Sequence, residues 1–280
     1  MTLRQALTIA AQQLAASEHL RVNAHRDAEL LLLHTLQIPR ITLIAYPNRE
    51  LTTEEEILYE SKLARRLKNE PIQYITGQQE FYGLPFKVTP AVLIPRPETE
   101  HLVEAVLACL PQDRSLRIAD IGTGSGAIAI ALAVHLPQAR ITAIDISPKA
   151  FDIARSNAKA NSVVDRISFL QSDLLAAVVD EAPFDAIVSN PPYIPEIDGP
   201  TLHPEVRDHE PHTALFSGTE GLDIYRRLIP QAHALLRPGG LIALEIGHGQ
   251  REALKILLNA WHDIRFIEDL QQIPRVVFAV

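Results

Sequence analysis

Apolar residues recur at helical spacing along the first part of the chain. Leu7, Ala10, Ala11 and Leu14 follow Thr2 and Gln5, a pair that resembles a capping box. Asn23 opens a second helix through Ala28, Leu30, Leu31, Leu32, Leu33 and Leu36. Thr53 with Glu56 opens a third, through Ile57, Leu58, Leu63 and Leu67. Asn69-Glu70-Pro71-Ile72-Gln73-Tyr74 breaks the pattern and marks a boundary. The spacing predicts a helical domain over 1–73 and a linker over 74–97, in which Phe81 to Val88 forms a short β-hairpin. A larger domain then covers 98–280.

In that larger domain the period switches. Leu102 to Ala108 is helical. Strand-like apolar runs at Leu116–Asp120, Arg140–Asp145, Phe184–Ser189 and Leu241–Ile246 alternate with helical stretches. The latter include Ala127–Ala133, Tyr225–Leu236 and Gln250–Leu258, and Arg237-Pro238-Gly239-Gly240 reads as a turn. Strands alternating with helices predict an α/β fold with a parallel sheet. Ile264–Ile267 and Arg275–Val280 read as terminal strands.

The first of those strands runs into Gly122-Thr123-Gly124-Ser125-Gly126 and then a helix. Strand, glycine-rich turn, helix is the nucleotide-binding opening of a doubly wound domain. Glycines allow the unusual dihedrals and let a ligand approach the backbone. The second strand ends in Asp145, whose carboxylate can accept from both hydroxyls of a ribose. Ala127 leaves a dinucleotide fingerprint possible on this feature alone. Asp120, however, is an acid that a pyrophosphate would not welcome and that a sulfonium with an ammonium group would. The ligand so implied is S-adenosylmethionine.

The strand Phe184–Ser189 stops at Asn190-Pro191-Pro192-Tyr193. Neither proline can donate to a ladder, and a residue before proline is pushed to extended geometry. The corner offers an amide side chain, free carbonyls and an aromatic face. That suits a planar, neutral, nitrogen-bearing group, because two acceptors can hold both hydrogens of an NH2. A plain strand-ending loop has the same composition, so the motif needs the glycine turn beside it.

Taken together, the GxGxG turn, Asp145, Gln171-Ser172-Asp173 and Asn190-Pro191-Pro192-Tyr193 resemble a class I, Rossmann-like methyltransferase acting on nitrogen. Three further stretches narrow this. They are Gly77-Gln78-Gln79-Glu80-Phe81-Tyr82-Gly83, Leu93-Ile94-Pro95-Arg96-Pro97-Glu98-Thr99-Glu100, and Glu210-Pro211 with Ala214-Leu215 and Gly218-Thr219-Glu220-Gly221-Leu222. With them the chain resembles, over its whole length, the HemK-type protein-(glutamine-N5) methyltransferases that modify peptide chain release factors.

The resemblance implies a mixed seven-stranded sheet of order 3-2-1-4-5-7-6, preceded by a small helical domain that docks the protein substrate. It implies S-adenosylmethionine held by Gly122, Thr123, Gly124, Ser125, Gly126, Asp145, Asp173, Leu174 and Asn190. It implies a glutamine amide gripped by Asn190, Pro191, Pro192 and Tyr193, with Asn190, Pro191 and Tyr193 carrying the chemistry. Asn190 Oδ1 and the Pro191 carbonyl would accept the two amide hydrogens, and Tyr193 would stack on the amide plane. Phe81, Arg96 and Glu98 are expected to shape the mouth of the site. Ribosomal-protein glutamine methylation and adenine-N6 methylation of nucleic acid are the alternatives.

Composition adjusts this picture modestly. Of 280 residues, 47% are hydrophobic, enough for a packed core. A formal net charge of −8 argues against a nucleic-acid substrate, since duplex binders show a basic patch. The cluster Lys62, Arg65, Arg66 and Lys68 reads first as a solvated helix end, and otherwise as a contact for an acidic partner or ribosomal RNA. A lone cysteine, Cys109, is expected in the core or an interface and fits a cytoplasmic protein. Apolar runs such as Leu30–Leu33 are too short to span a membrane, and the N-terminal residues do not read as a signal peptide. His203, Glu205, Asp208, His209, Glu210 and His212 match no helical zinc spacing, so no metal is expected.

Overall fold

In this computed structural model, residues 1–180 and 183–280 are described. They fall into two compact units, Met1–Gly77 with Leu202–His209, and Gln78–Thr201 with Glu210–Val280.

The first unit is helical: α1 (Leu3–Ala15), α2 (Ala24–Leu36), α3 (Arg40–Ala45), α4 (Thr53–Arg66) and α5 (Ile72–Thr76). Thr2 and Gln5 form the expected capping box. For α4 the box lies one residue earlier than the sequence pattern suggests. Thr52 Oγ1 accepts from the Glu55 N–H at 3.2 Å, and Glu55 Oε2 accepts from the Thr52 N–H at 2.9 Å. The run Thr52-Thr53-Glu54-Glu55-Glu56 supports both registers, and the extended backbone of Thr52 selects one. Neither α3 nor α5 is long enough to show a helical period. The core gathers Leu3, Ala6, Ala10, Leu14, Leu31, Leu32 and Leu63.

Arg66 corrects the reading of the basic cluster. It is buried, not solvated. Its Nε donates to Asp27 Oδ2 at 2.7 Å, its Nη1 to the Glu70 carbonyl at 3.0 Å, and its Nη2 to Glu205. Burial pushes the Asp27 carboxyl above its usual range, against the opposing pull of Arg66. Arg65 pairs with Glu70.

The second unit begins with a hairpin, β1 (Gln78–Phe81) and β2 (Leu84–Lys87), turned by Tyr82 and Gly83 at φ 53° and 72°. Then follow α6 (Glu100–Cys109), β3 (Arg117–Ile121), α7 (Ala127–His135), β4 (Arg140–Asp145), α8 (Pro148–Ala160), β5 (Ile167–Gln171) and β6 (Phe184–Ser189). The short helix α9 (Pro204–His209) belongs to the helical unit. The chain ends with α10 (Asp223–Leu235), β7 (Leu236–Glu245), α11 (Arg251–Leu257), β8 (Arg265–Glu268) and β9 (Pro274–Ala279).

The main sheet has the order β5-β4-β3-β6-β7-β9-β8. Counted from β3 as the first strand, this is the expected 3-2-1-4-5-7-6. Strands β3 to β7 run parallel, and β9 pairs antiparallel with β7 and β8. One apolar cluster joins the sheet to α6, α7 and α8, and a second joins it to α10 and α11. Both faces are therefore covered, which is why α7 is buried along nearly its whole length. The turn expected at Arg237–Gly240 is absorbed into β7 as a bulge: pairing with β6 jumps from Phe184↔Leu236 to Ala186↔Leu241. Cys109, expected in the core or an interface, is not in the core but exposed. It is the last residue of α6, and the buried position after it goes to Leu110.

Candidate methyl-transfer site

From β3 the chain crosses to β4 on one side, and β6 lies on the other. The crevice at the carboxyl ends of β3 and β6 is thus the topological switch point, where doubly wound folds bind ligands. The glycine turn, Asp145, Ser172-Asp173, Asn190 and Glu245 all lie at these strand ends.

Gly122, Gly124 and Gly126 have φ of 71°, 54° and 84°. A Cβ on Gly122 would meet nothing within 4 Å, so the space beside that backbone is open. A Cβ on Gly126 would lie 2.9 Å from Ile130 Cδ1 and 3.3 Å from Ala154 Cβ. The two glycines therefore differ: the first leaves open space beside the turn, the third lets α7 pack on α8. Asn157 of α8 pins this turn to the hairpin, donating from Nδ2 to the carbonyls of Ser125 at 2.9 Å and Lys87 at 3.0 Å.

Asp145 is half-buried, with Oδ2 accepting from the Gly124 N–H and Oδ1 from the Ser147 N–H, each at 2.8 Å. A carboxylate has about four lone-pair sites, so capacity remains for a ribose diol. Asp120 lies beneath the turn rather than on it, fully buried. Its Oδ2 accepts from Thr123 Oγ1 at 2.7 Å and the Ala129 N–H at 3.1 Å, while Oδ1 has no partner. Burial pushes this carboxyl up to about 7. An orphaned carboxylate oxygen, open space beside Gly122 and acceptors on Asp145 fit a cationic nucleoside ligand. Asp173 is exposed, its Oδ2 held by Arg227 at 2.5 Å, and Leu174 adopts φ 53°.

At the end of β6 the Asn-Pro-Pro-Tyr corner is held from several directions. Asn190 Nδ2 donates to Thr99 Oγ1 at 3.0 Å, and Thr99 Oγ1 donates to Glu245 Oε2 at 2.6 Å. The Tyr193 hydroxyl donates to Glu245 Oε1 at 3.2 Å, and the Tyr225 hydroxyl to the Glu245 carbonyl at 2.7 Å. Gln250 Nε2 donates to the carbonyls of Tyr193 at 3.0 Å and Gly221 at 3.2 Å. A Cβ on Gly221 would collide with the Tyr193 carbonyl, and one on Gly247 would lie 3.0 Å from the Tyr193 ring. Burial raises the Glu245 carboxyl to about 7 and the Tyr193 hydroxyl well above its usual value.

Sequence reading named Asn190 and Tyr193 but missed the support beneath them: Glu245, Gln250 and Tyr225. A charged residue in the apolar run Leu241–Ile246 was the available signal for Glu245. Of the residues expected at the mouth, Phe81 is instead core, 6.0 Å from Phe86 ring to ring. Arg96 Nη2 donates to the buried Glu210 at 2.5 Å, and Glu98 is exposed. Among the described residues no group of three or more His, Cys, Asp or Glu could hold a metal ion.

A family model described as methyltransferase small domain matches residues 99–200, and one described as PrmC N-terminal domain matches 5–77. The release factor glutamine methyltransferase of Koribacter versatilis is 46% identical over 99% of this chain and 98% of its own. That of Moorella thermoacetica is 49% identical over 93% and 90%. A methyltransferase structure from Pyrococcus furiosus shares the fold, with TM-score 0.53 at 19% identity over 79% of this chain and 98% of that one. Near-full-length identity of this order leaves no room for a different assignment: this chain belongs to the release factor glutamine methyltransferase family.

Proposed function

We infer that this protein transfers a methyl group from S-adenosylmethionine to the side-chain amide nitrogen (N5) of a release factor glutamine, the one in the Gly-Gly-Gln motif. The observation that carries it is Asn190. Its Nδ2 is tied down to Thr99, which leaves Oδ1 as a fixed acceptor at the switch point.

S-adenosylmethionine supplies an electrophilic methyl on a sulfonium. The Gly122–Gly126 turn and Asp145 would hold it, with Asp120 adding negative charge from below. A carboxamide nitrogen is a poor nucleophile because its lone pair is delocalised into the carbonyl. It is neutral, so no base is required before attack. Asn190 Oδ1 and the Pro191 carbonyl accept its two hydrogens, fix its position and draw charge onto nitrogen. Tyr193 lies against the amide plane, its far end anchored on Glu245. Catalysis then rests on orientation and placed dipoles. The methylated amide is strongly acidic and loses its proton to water. A net charge of −8 supports a protein substrate over a nucleic acid, and a lone cysteine suits the cytoplasm. Among the described residues no helix is long and apolar enough to cross a membrane.

The test is transfer of labelled methyl to a purified, unmodified release factor, beside a copy carrying alanine at the glutamine of its Gly-Gly-Gln loop. Label on the first alone is expected. Equal label on both, or on neither while S-adenosylmethionine still binds, would refute the substrate.

A further inference from the structure

Asn190 can grip an amide only if its oxygen, and not its nitrogen, faces the substrate. Asparagine offers both ends in nearly the same shape, so something must choose. The choice is legible in the chain of contacts behind it. A carboxylate accepts only, so the single hydroxyl proton of Thr99 goes to Glu245 Oε2, 2.6 Å away. Thr99 Oγ1 can then only accept on its other side. The Asn190 amide must meet it with Nδ2, as it does at 3.0 Å.

We propose that Glu245, acting through Thr99, is a positioning residue that dictates which end of the Asn190 amide faces the substrate. This rests on the methyl-transfer reading of the site, and extends it to two buried residues behind Asn190. The rest of the surroundings holds Glu245 in place for the task. Tyr193 donates to its second oxygen, and Tyr225 fixes its backbone carbonyl.

The relay has a polarity, and protonation removes its cause. A neutral Glu245 can donate to Thr99, which then donates to Asn190 Oδ1 and turns the amide round. Burial, helped by Glu98 and opposed by Thr99, Tyr193 and Arg275, brings the ionisation of Glu245 to about 7. Tyr225 is far too weak an acid to titrate in this range. The competent orientation is therefore enforced above about pH 7 and lost as pH falls below it.

The test uses full-length protein with S-adenosylmethionine bound, asparagine labelled with ¹⁵N, and a release factor as acceptor. Side-chain amide resonances of Asn190 are followed from pH 5.5 to 8.5 in wild type, Thr99→Ser, Thr99→Val and Glu245→Gln, and kcat is measured in parallel. In wild type and Thr99→Ser the resonances should move with a midpoint of about 7, and kcat should fall on the acid side. Thr99→Val, nearly isosteric, should show no such midpoint. It should lose roughly 100-fold in kcat, the order expected when a reacting group is misplaced, with the KM for S-adenosylmethionine within about twofold. Glu245→Gln should have a lowered, pH-independent kcat. A Thr99→Val protein with wild-type kcat, or a wild-type Asn190 amide with no midpoint in this range, overturns the relay. Wild-type resonances that move as expected, without any methyl transfer to the release factor, support the relay and sink the substrate assignment instead.

Discussion

Replacing Asp120 by asparagine should stabilise the free protein and weaken its hold on the methyl donor. The carboxyl is fully buried, one of its oxygens has no partner, and burial carries it from its ordinary 3.8 up to about 7. Each tenfold change in an equilibrium is about 1.4 kcal/mol, so ionising Asp120 in place costs roughly 4 kcal/mol, an upper figure. The sign follows from linkage. A folded acid held above its unfolded value contributes stability that is fully present below about pH 4 and lost as pH rises through about 7. Asparagine has no such slope, and its oxygen can still accept from Thr123 and the Ala129 N–H. Urea unfolding at pH 5, 6, 7 and 8 reads the difference. Glu245 also titrates near 7, but it is common to both proteins and cancels in the comparison. The variant should gain on wild type between pH 5 and 7 and level off by pH 8, by about 3 kcal/mol over this range. Calorimetry at pH 8 should show weaker S-adenosylmethionine binding, because the buried charge that favours a cation is gone. Parallel stability curves across this pH range would show that the cost of the buried charge has been misjudged. Unchanged affinity would refute its role under the turn.

Three further outcomes are expected. Asn190→Ala should lose nearly all turnover while S-adenosylmethionine still binds by calorimetry, and Asn190→Asp should fail as well; equal loss of binding would remove the acceptor role. Gly126→Ala puts a Cβ 2.9 Å from Ile130 Cδ1 at φ 84°, and should cost about 1–3 kcal/mol in urea unfolding. Arg66→Met leaves the buried Asp27 without its cation and should destabilise the helical unit by roughly 3–5 kcal/mol at pH 8. That loss should shrink at pH 5, where the unpaired Asp27 can take up a proton, and urea unfolding at the two pH values checks it.

Local pattern alone located much of this protein. The strands Arg140–Asp145 and Phe184–Ser189 are apolar runs bounded by turn residues, and they occur as read. The glycine turn is legible because positive φ at Gly122, Gly124 and Gly126 is a demand on the residue itself. Asn190-Pro191-Pro192-Tyr193 is legible for the same reason, since proline ends a ladder wherever it stands. What pattern could not settle lay wherever two local answers were equally good. Thr52 and Thr53 could each cap α4, and the extended backbone at Thr52 chose the first. Arg66 looked like any helix-end cation until Asp27, distant in sequence, was folded against it. Most of all, Thr99, Asn190 and Glu245 come from three separate parts of the chain, and no periodicity relates them. Sequence determines which side chains can donate and accept. Only the sheet, by laying the end of β7 beside the end of β6, decides that a carboxylate sits behind the asparagine and which way its amide must face.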